Sequence, residues 1–242
     1  MSETTAGRLF RRIHHLRCRE RDLAAAIAGL PRQSASLKAR LEKAKSTRAD
    51  AGDQIKTRQV SHRAKESAIE ASTAQIRKLS EQRDGASSQN DFDALEREIA
   101  HAKAQIASNE DEILLLLDEI DAWTAKLPDL DAAITKAEGE STSFDREQPQ
   151  RTKDLQESLD EVRKELAERD REVPPEHQSA YKRVVSGRGP DALSHLDGTS
   201  CASCGTEQTA SDVSRVRRLA FATCTECGCI LYLTEKDEKE LD

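Results

Sequence analysis

A mainly α-helical chain, in which a long antiparallel helical hairpin (a coiled coil) is followed by a small C-terminal β module, is the fold this sequence predicts. Three observations predict it. Only 3% of the 242 residues are aromatic while 34% are charged, a composition that starves a single large core and suits long helices. Apolar residues recur every seven positions through the middle of the chain. Near the C-terminus stand two C-x2-C-G elements, Cys201–Gly205 and Cys224–Gly228, with nineteen residues between Cys204 and Cys224.

Taken in order, residues 7–83 form the first helix. Ile13, Leu16, Leu23, Ile27, Leu30, Leu37, Leu41, Ala44, Ala51, Ile55, Ile69, Ile76 and Leu79 make an intermittent seam, a weak heptad pattern. Pro31 is expected to bend or break it, since proline removes a helical hydrogen bond and crowds the preceding turn. Residues 84–90 form a turn in which Gly85 suits the position after a helix and Ser88 or Asn90 can cap the next one.

The second helix, residues 91–172, opens with a cleaner repeat. Phe92, Ile99, Ile106, Ile113, Ile120, Leu127 and Ile134 fall seven apart, with Leu95, Ala102, Asn109, Leu116, Trp123, Leu130 and Ala137 between them. Pro128 is expected to kink it without changing phase. The repeat fails around Gly139 and Pro149 and resumes, shifted, at Leu155, Leu159, Val162 and Leu166. Residues 1–83 carry 19 basic and 9 acidic side chains, and residues 84–172 carry 11 and 25. A basic and an acidic helix joined by so short a turn pair antiparallel. In the register this implies, Pro31 lies level with Ser143, a candidate hinge, and His62 lies near Asn109, a candidate buried polar layer.

Residues 173–242 form the second domain. Val173-Pro174-Pro175 ends the coiled coil, a short helix follows over residues 176–186, and the cysteine module spans residues 201–233. Strands are expected at 219–223 and 230–233, flanking the second cysteine pair. Two C-x2-C turns place four thiolates around one tetrahedral ion. The expected cofactor is therefore one structural Zn2+ on Cys201, Cys204, Cys224 and Cys227. Gly205 and Gly228 follow each pair where the turn calls for positive φ. Two disulfides would need an oxidising compartment, and a redox CxxC expects a βαβ setting. Cys229, a fifth thiol beside the site, is read as a bystander. The opening residues contain no apolar run to serve as a signal peptide, and no stretch is long enough for a membrane span, so a reducing cytoplasm is the expected compartment.

Asn90-Asp-Phe92-Asp-Ala94-Leu95-Glu-Arg-Glu98-Ile99 at the start of the second helix, the Pro175 to Tyr181 segment, the four cysteines and the ending Cys227-Gly-Cys-Ile-Leu-Tyr232 together resemble a bacterial family of coiled-coil proteins with a C-terminal C4-type zinc ribbon. The resemblance implies zinc on the same four cysteines, a nucleic-acid-binding or adaptor role, and no catalytic activity. The chain departs from the family's pattern at Cys229, where arginine is usual.

Two partner classes follow. Arg215, Arg217 and Arg218 in the cysteine spacer, stacking by Phe221 or Tyr232, and the cluster with Arg8, Arg11 and Arg12 at the same end would suit RNA or DNA. A protein partner fits the net acidic module and the long hairpin surface equally. A purely structural scaffold, or a homodimer formed through the coiled coil, is the alternative. An enzyme is not expected: there is no phosphate-cradling glycine loop, no Ser-His-Asp arrangement and no open metal position.

Overall fold

The computed structural model describes residues 6–239 and consists of a helical hairpin with a small C-terminal sheet. Helix α1 spans Ala6–Asp84, α2 Gln89–Thr124, α3 Leu127–Glu172 and α4 Pro175–Arg188. A 3-10 turn at Gly189–Ala192 leads into β1 (Leu193–Asp197) and β2 (Ser200–Cys201). Helix α5 (Ala210–Arg217), β3 (Ile230–Tyr232) and α6 (Glu235–Lys239) complete the chain. No described helix is long and apolar enough to cross a membrane.

The chain divides into two compact units. One is Ser34–Phe144; the other combines the chain through Gln33 with the chain from Asp145 onward. The cuts fall within a few residues of Pro31 and Ser143. They do not fall at 172/173, because both ends of the hairpin share an apolar core with the C-terminal module.

In the unit Ser34–Phe144 the two arms run antiparallel. Lys65 pairs with Glu112, Arg58 with Glu119, Arg48 with Asp131 and Lys45 with Glu138. Each pair joins the basic first arm to the acidic second, as the charge asymmetry anticipates, but the offset from the anticipated register grows from three residues at Lys65 to nine at Lys45. From Leu95 through Ala137 every expected seam residue is buried or half-buried, and only Phe92 is exposed. The seam keeps its phase across the α2–α3 junction, but Pro128 does more than kink. Helix α2 ends at Thr124 and α3 begins at Leu127, so Pro128 sits in a first turn, where its missing N–H has no helical partner to lose. Ser88 caps α2 by accepting from the Asp91 N–H. His62 and Asn109 are both half-buried, and His62 Nδ1 lies 3.4 Å from Glu66, so neither makes a sealed polar layer.

Pro31 and Pro149 lie inside α1 and α3 without ending them. Both are exposed, so the carbonyl each one orphans can turn to water, and flanking apolar turns such as buried Leu30 hold the helix on either side.

The other unit has two cores. One joins Phe10, Ile13 and Leu16 of α1, Val162 and Leu166 of α3, Tyr181 of α4, and Leu193 and Ile230 of the sheet. The second surrounds the cysteines with Leu196, Val213, Val216, Ala222, Leu231 and Leu233. The sheet order is β2-β1-β3, with β1 antiparallel to β2 and parallel to β3. The strand expected at 219–223 is absent apart from a single bridge between Thr223 and Ile230. That segment instead terminates α5: Leu219 takes φ 58° and the N–H of Ala220 reaches back to the Arg215 carbonyl, which satisfies a helix end. Gly7 packs against this turn and donates to the Leu219 carbonyl at 2.9 Å; a Cβ there would sit 3.1 Å from Leu219 Cα.

Candidate metal centre

Each cysteine pair sits on a tight turn. Gly205 donates to the Cys201 carbonyl at 2.8 Å with φ 75°, and Gly228 donates to the Cys224 carbonyl at 3.0 Å with φ 71°. Both glycines thus occupy the left-handed conformation that their positions called for. β1 and β2 deliver the first turn, and the chain leading into β3 delivers the second.

The two turns bring the sulfurs of Cys201, Cys204, Cys224 and Cys227 within 4.8 Å of one another. Cys201 and Cys227 Sγ are 3.8 Å apart, and Cys204 and Cys224 Sγ are 3.6 Å apart. A tetrahedral ion about 2.3 Å from each thiolate has sulfur–sulfur edges of roughly 3.8 Å. The four side chains therefore fit a metal ion, and they leave it no open position.

The surroundings prepare the thiols unequally. Burial pushes Cys201 up to about 12, against hydrogen bonds from the backbone of Cys204 and Ser203. For Cys227 burial acts in the same upward direction, but donation from the Cys229 backbone and side chain, and from Cys224 and Cys204, overrides it and brings the thiol to about 6. Binding of an ion by four thiolates releases the protons that the thiols hold, and the surroundings ease this at Cys227 and oppose it at Cys201.

Two supporting residues carried no sequence signal. Gln208 is buried; its Nε2 donates to Cys224 Sγ at 3.3 Å, and its Oε1 accepts from the Thr225 N–H. Arg188, at the end of α4, donates to the Cys227 carbonyl and, at 2.9 Å, to Cys229 Sγ. Both are single polar residues outside any periodic pattern, and only folding brings them to the site.

Cys229 is fully buried beside the site and is not one of the four clustered sulfurs; its own sulfur lies 3.1 Å from the Asp191 carbonyl and hydrogen-bonds with Cys227. The expected result for Cys229→Ser is an unchanged metal content with stability altered by no more than about 1 kcal/mol. Metal analysis together with thermal melting checks this; a halved metal content would make Cys229 a ligand.

The binding residues expected from sequence fare differently. Arg8 and Arg11 both pair with Glu238 of α6, which two guanidiniums hold as a carboxylate despite its burial. Arg12 pairs with Glu165. Arg215 donates to the Phe221 carbonyl at 2.7 Å. Tyr232 is buried, and its hydroxyl shares a 2.6 Å hydrogen bond with His14 Nδ1, so it is a core residue and not a stacking platform. His14 is drawn inward, and burial lowers its pKa, with His15 and His195 adding to the effect. Phe221 stacks on His177 with ring centroids 4.4 Å apart and meets Phe10 edge-on. Arg217 and Arg218 remain exposed. They line a cleft of about 570 Å³ with Thr199, Gln208, Val213 and Ser214.

Solved proteins share this fold. The HP0958 protein from Helicobacter pylori CCUG 17874 matches 96% of this chain over 99% of its own, with a TM-score of 0.66 and 18% identity. CT398 from Chlamydia trachomatis matches 95% of each chain, with a TM-score of 0.54 and 19% identity. At such identity the likeness is one of fold alone. No protein-family model matches the chain, and no curated protein matches it.

Proposed function

We propose that this chain is a non-enzymatic adaptor whose C-terminal module, clamped by one structural zinc ion, docks a protein partner. Zinc follows from the ligand set: four thiolates at tetrahedral spacing favour it over the harder divalent ions, and the filled shell gives a structural ion. The cytoplasm is its expected compartment, because it keeps such thiols reduced. The family of C4-type zinc ribbon coiled-coil proteins that the sequence resembles remains the proposed kinship.

One observation favours a protein over a nucleic acid. Most of the cationic and aromatic side chains that would grip a nucleic acid are engaged within the fold: Arg8, Arg11, Arg12 and Arg215 with acidic or carbonyl oxygens, and Phe221 and Tyr232 with aromatic neighbours. Arg217 and Arg218 are the exposed pair, Arg218 donating, among the described residues, only to the Ser214 carbonyl of its own helix, on a module that is otherwise net acidic. Two phosphate contacts support only weak binding, with a salt slope no steeper than about −2.

The test is zinc-loaded full-length protein and its Arg217→Ala/Arg218→Ala variant against short labelled RNA and DNA over a salt series, with affinity capture of proteins in parallel. The expected result is weak nucleic-acid binding, and a captured protein that the variant loses. Tight, steeply salt-dependent nucleic-acid binding that weakens in the variant would reverse the choice.

A further inference from the structure

We propose that the outer face of α2 around Leu114, Leu115 and Leu117 docks a basic amphipathic helix of another protein. These leucines are 62%, 64% and 41% exposed, although they stand in the most apolar turn of the chain. Ile113 and Leu116 beside them face the α1 seam and are half-buried, so pairing of the two arms does not use the other three.

Helical spacing sets them between acids. Glu110, Leu114, Leu117 and Asp121 follow one another at i, i+4, i+7 and i+11, and Asp111, Leu115 and Asp118 at i, i+4 and i+7. Each row therefore reads acid, leucine, acid along one face of the helix. The neighbouring carboxylates Glu112 and Glu119 pair with cations of the other arm, Lys65 and Arg58. Among the described residues, Glu110, Asp111, Asp118 and Asp121 have no ion-pair partner. The face is thus an apolar island with an acidic collar at both ends.

Charge selects the occupant. A second copy laid on the same face would oppose carboxylate to carboxylate at both ends of the island. The three leucines offer on the order of 300 Å², so the contact belongs to the small, transient class whichever protein makes it. A helix with apolar residues at i, i+3, i+4 and i+7 and lysine or arginine beyond them matches both the island and its collar. This inference stands apart from the adaptor reading of the C-terminal module, because the surface lies on the unit Ser34–Phe144.

The experiment titrates full-length zinc-loaded protein with a synthetic helical peptide carrying leucine at those spacings and lysine at both flanks. A scrambled peptide of the same composition is the control. Leu114→Ser/Leu115→Ser/Leu117→Ser is expected to weaken binding at least about tenfold with helicity retained and the melting temperature lowered only slightly, since the leucines stand outside the seam and serine is only a modestly poorer helix former. Asp111→Asn/Asp118→Asn is expected to weaken it and flatten its salt dependence. Absence of binding, equal binding of the scrambled peptide, or undiminished binding by the triple serine variant overturns the proposal. So does loss of helicity in that variant, which would place the leucines within the fold. Self-association in sedimentation that the triple variant abolishes would make a second copy the occupant and overturn it as well.

Discussion

Cys201→Ser is expected to empty the metal site and to open the C-terminal module to protease, while most of the helical signal persists. Metal content should fall from one ion per chain to almost none, with new cleavages between residues 190 and 239. The module's own core is small. It consists of four buried apolar side chains from the sheet and its flanks, two valines of α5 and the cysteines themselves. A structural ion bound by four thiolates contributes on the order of 10–16 kcal/mol at neutral pH, far more than such a core can replace. Cys201 is fully buried with its sulfur 3.8 Å from that of Cys227, so serine leaves a three-thiol site. Acid should act in the same direction. Binding displaces a proton from the Cys201 thiol, raised to about 12 in the metal-free site, so affinity falls as pH falls, and lowering the pH releases the ion before the helices melt. A Cys201→Ser chain that holds one ion and keeps its protease resistance would refute the four-thiol assignment.

Phe10→Ala is expected to give the second large effect, by a different route. Phe10 is fully buried where α1, α4 and the segment after α5 meet, with ring centroids 6.0 Å from Tyr181 and 5.5 Å from Phe221. Removing a buried phenyl ring costs about 3–5 kcal/mol, which for a chain of this size lowers the melting temperature on the order of 10 °C. Metal content should stay at one ion per chain, because Phe10 belongs to the core away from the cysteines. The two substitutions therefore separate the ion's contribution from that of the helix–module core. A melting shift of only a degree or two would show that the N-terminal arm and the module are not joined by this core.

The seam from Leu95 to Ala137, the antiparallel pairing of basic and acidic arms, the Ser88 cap and the tetrahedral cysteine set with its two positive-φ glycines were all legible in the sequence. Each is local or periodic: heptads, charge blocks and C-x2-C-G turns carry their geometry within a few residues, or repeat it often enough to be read. Helix α5 was not anticipated, although Thr209 caps Asp212 and Val213 and Val216 share one face, because eight residues are too few to set a helical period apart from a loop. What tertiary structure alone decided is which side chains were left over. Strand β1 pairs in parallel with β3 across more than thirty residues, and no local pattern announces a partner so far along the chain. That pairing draws Tyr232 into the core against His14. The return of α3 and α6 to the start of α1 commits Arg8, Arg11 and Arg12 to carboxylates that lie at least 150 residues away. A sequence displays an arginine's charge but not whether a distant carboxylate will neutralise it. Long-range packing therefore removed the basic patch that composition suggested, and left exposed the leucines that the heptad pattern did not use.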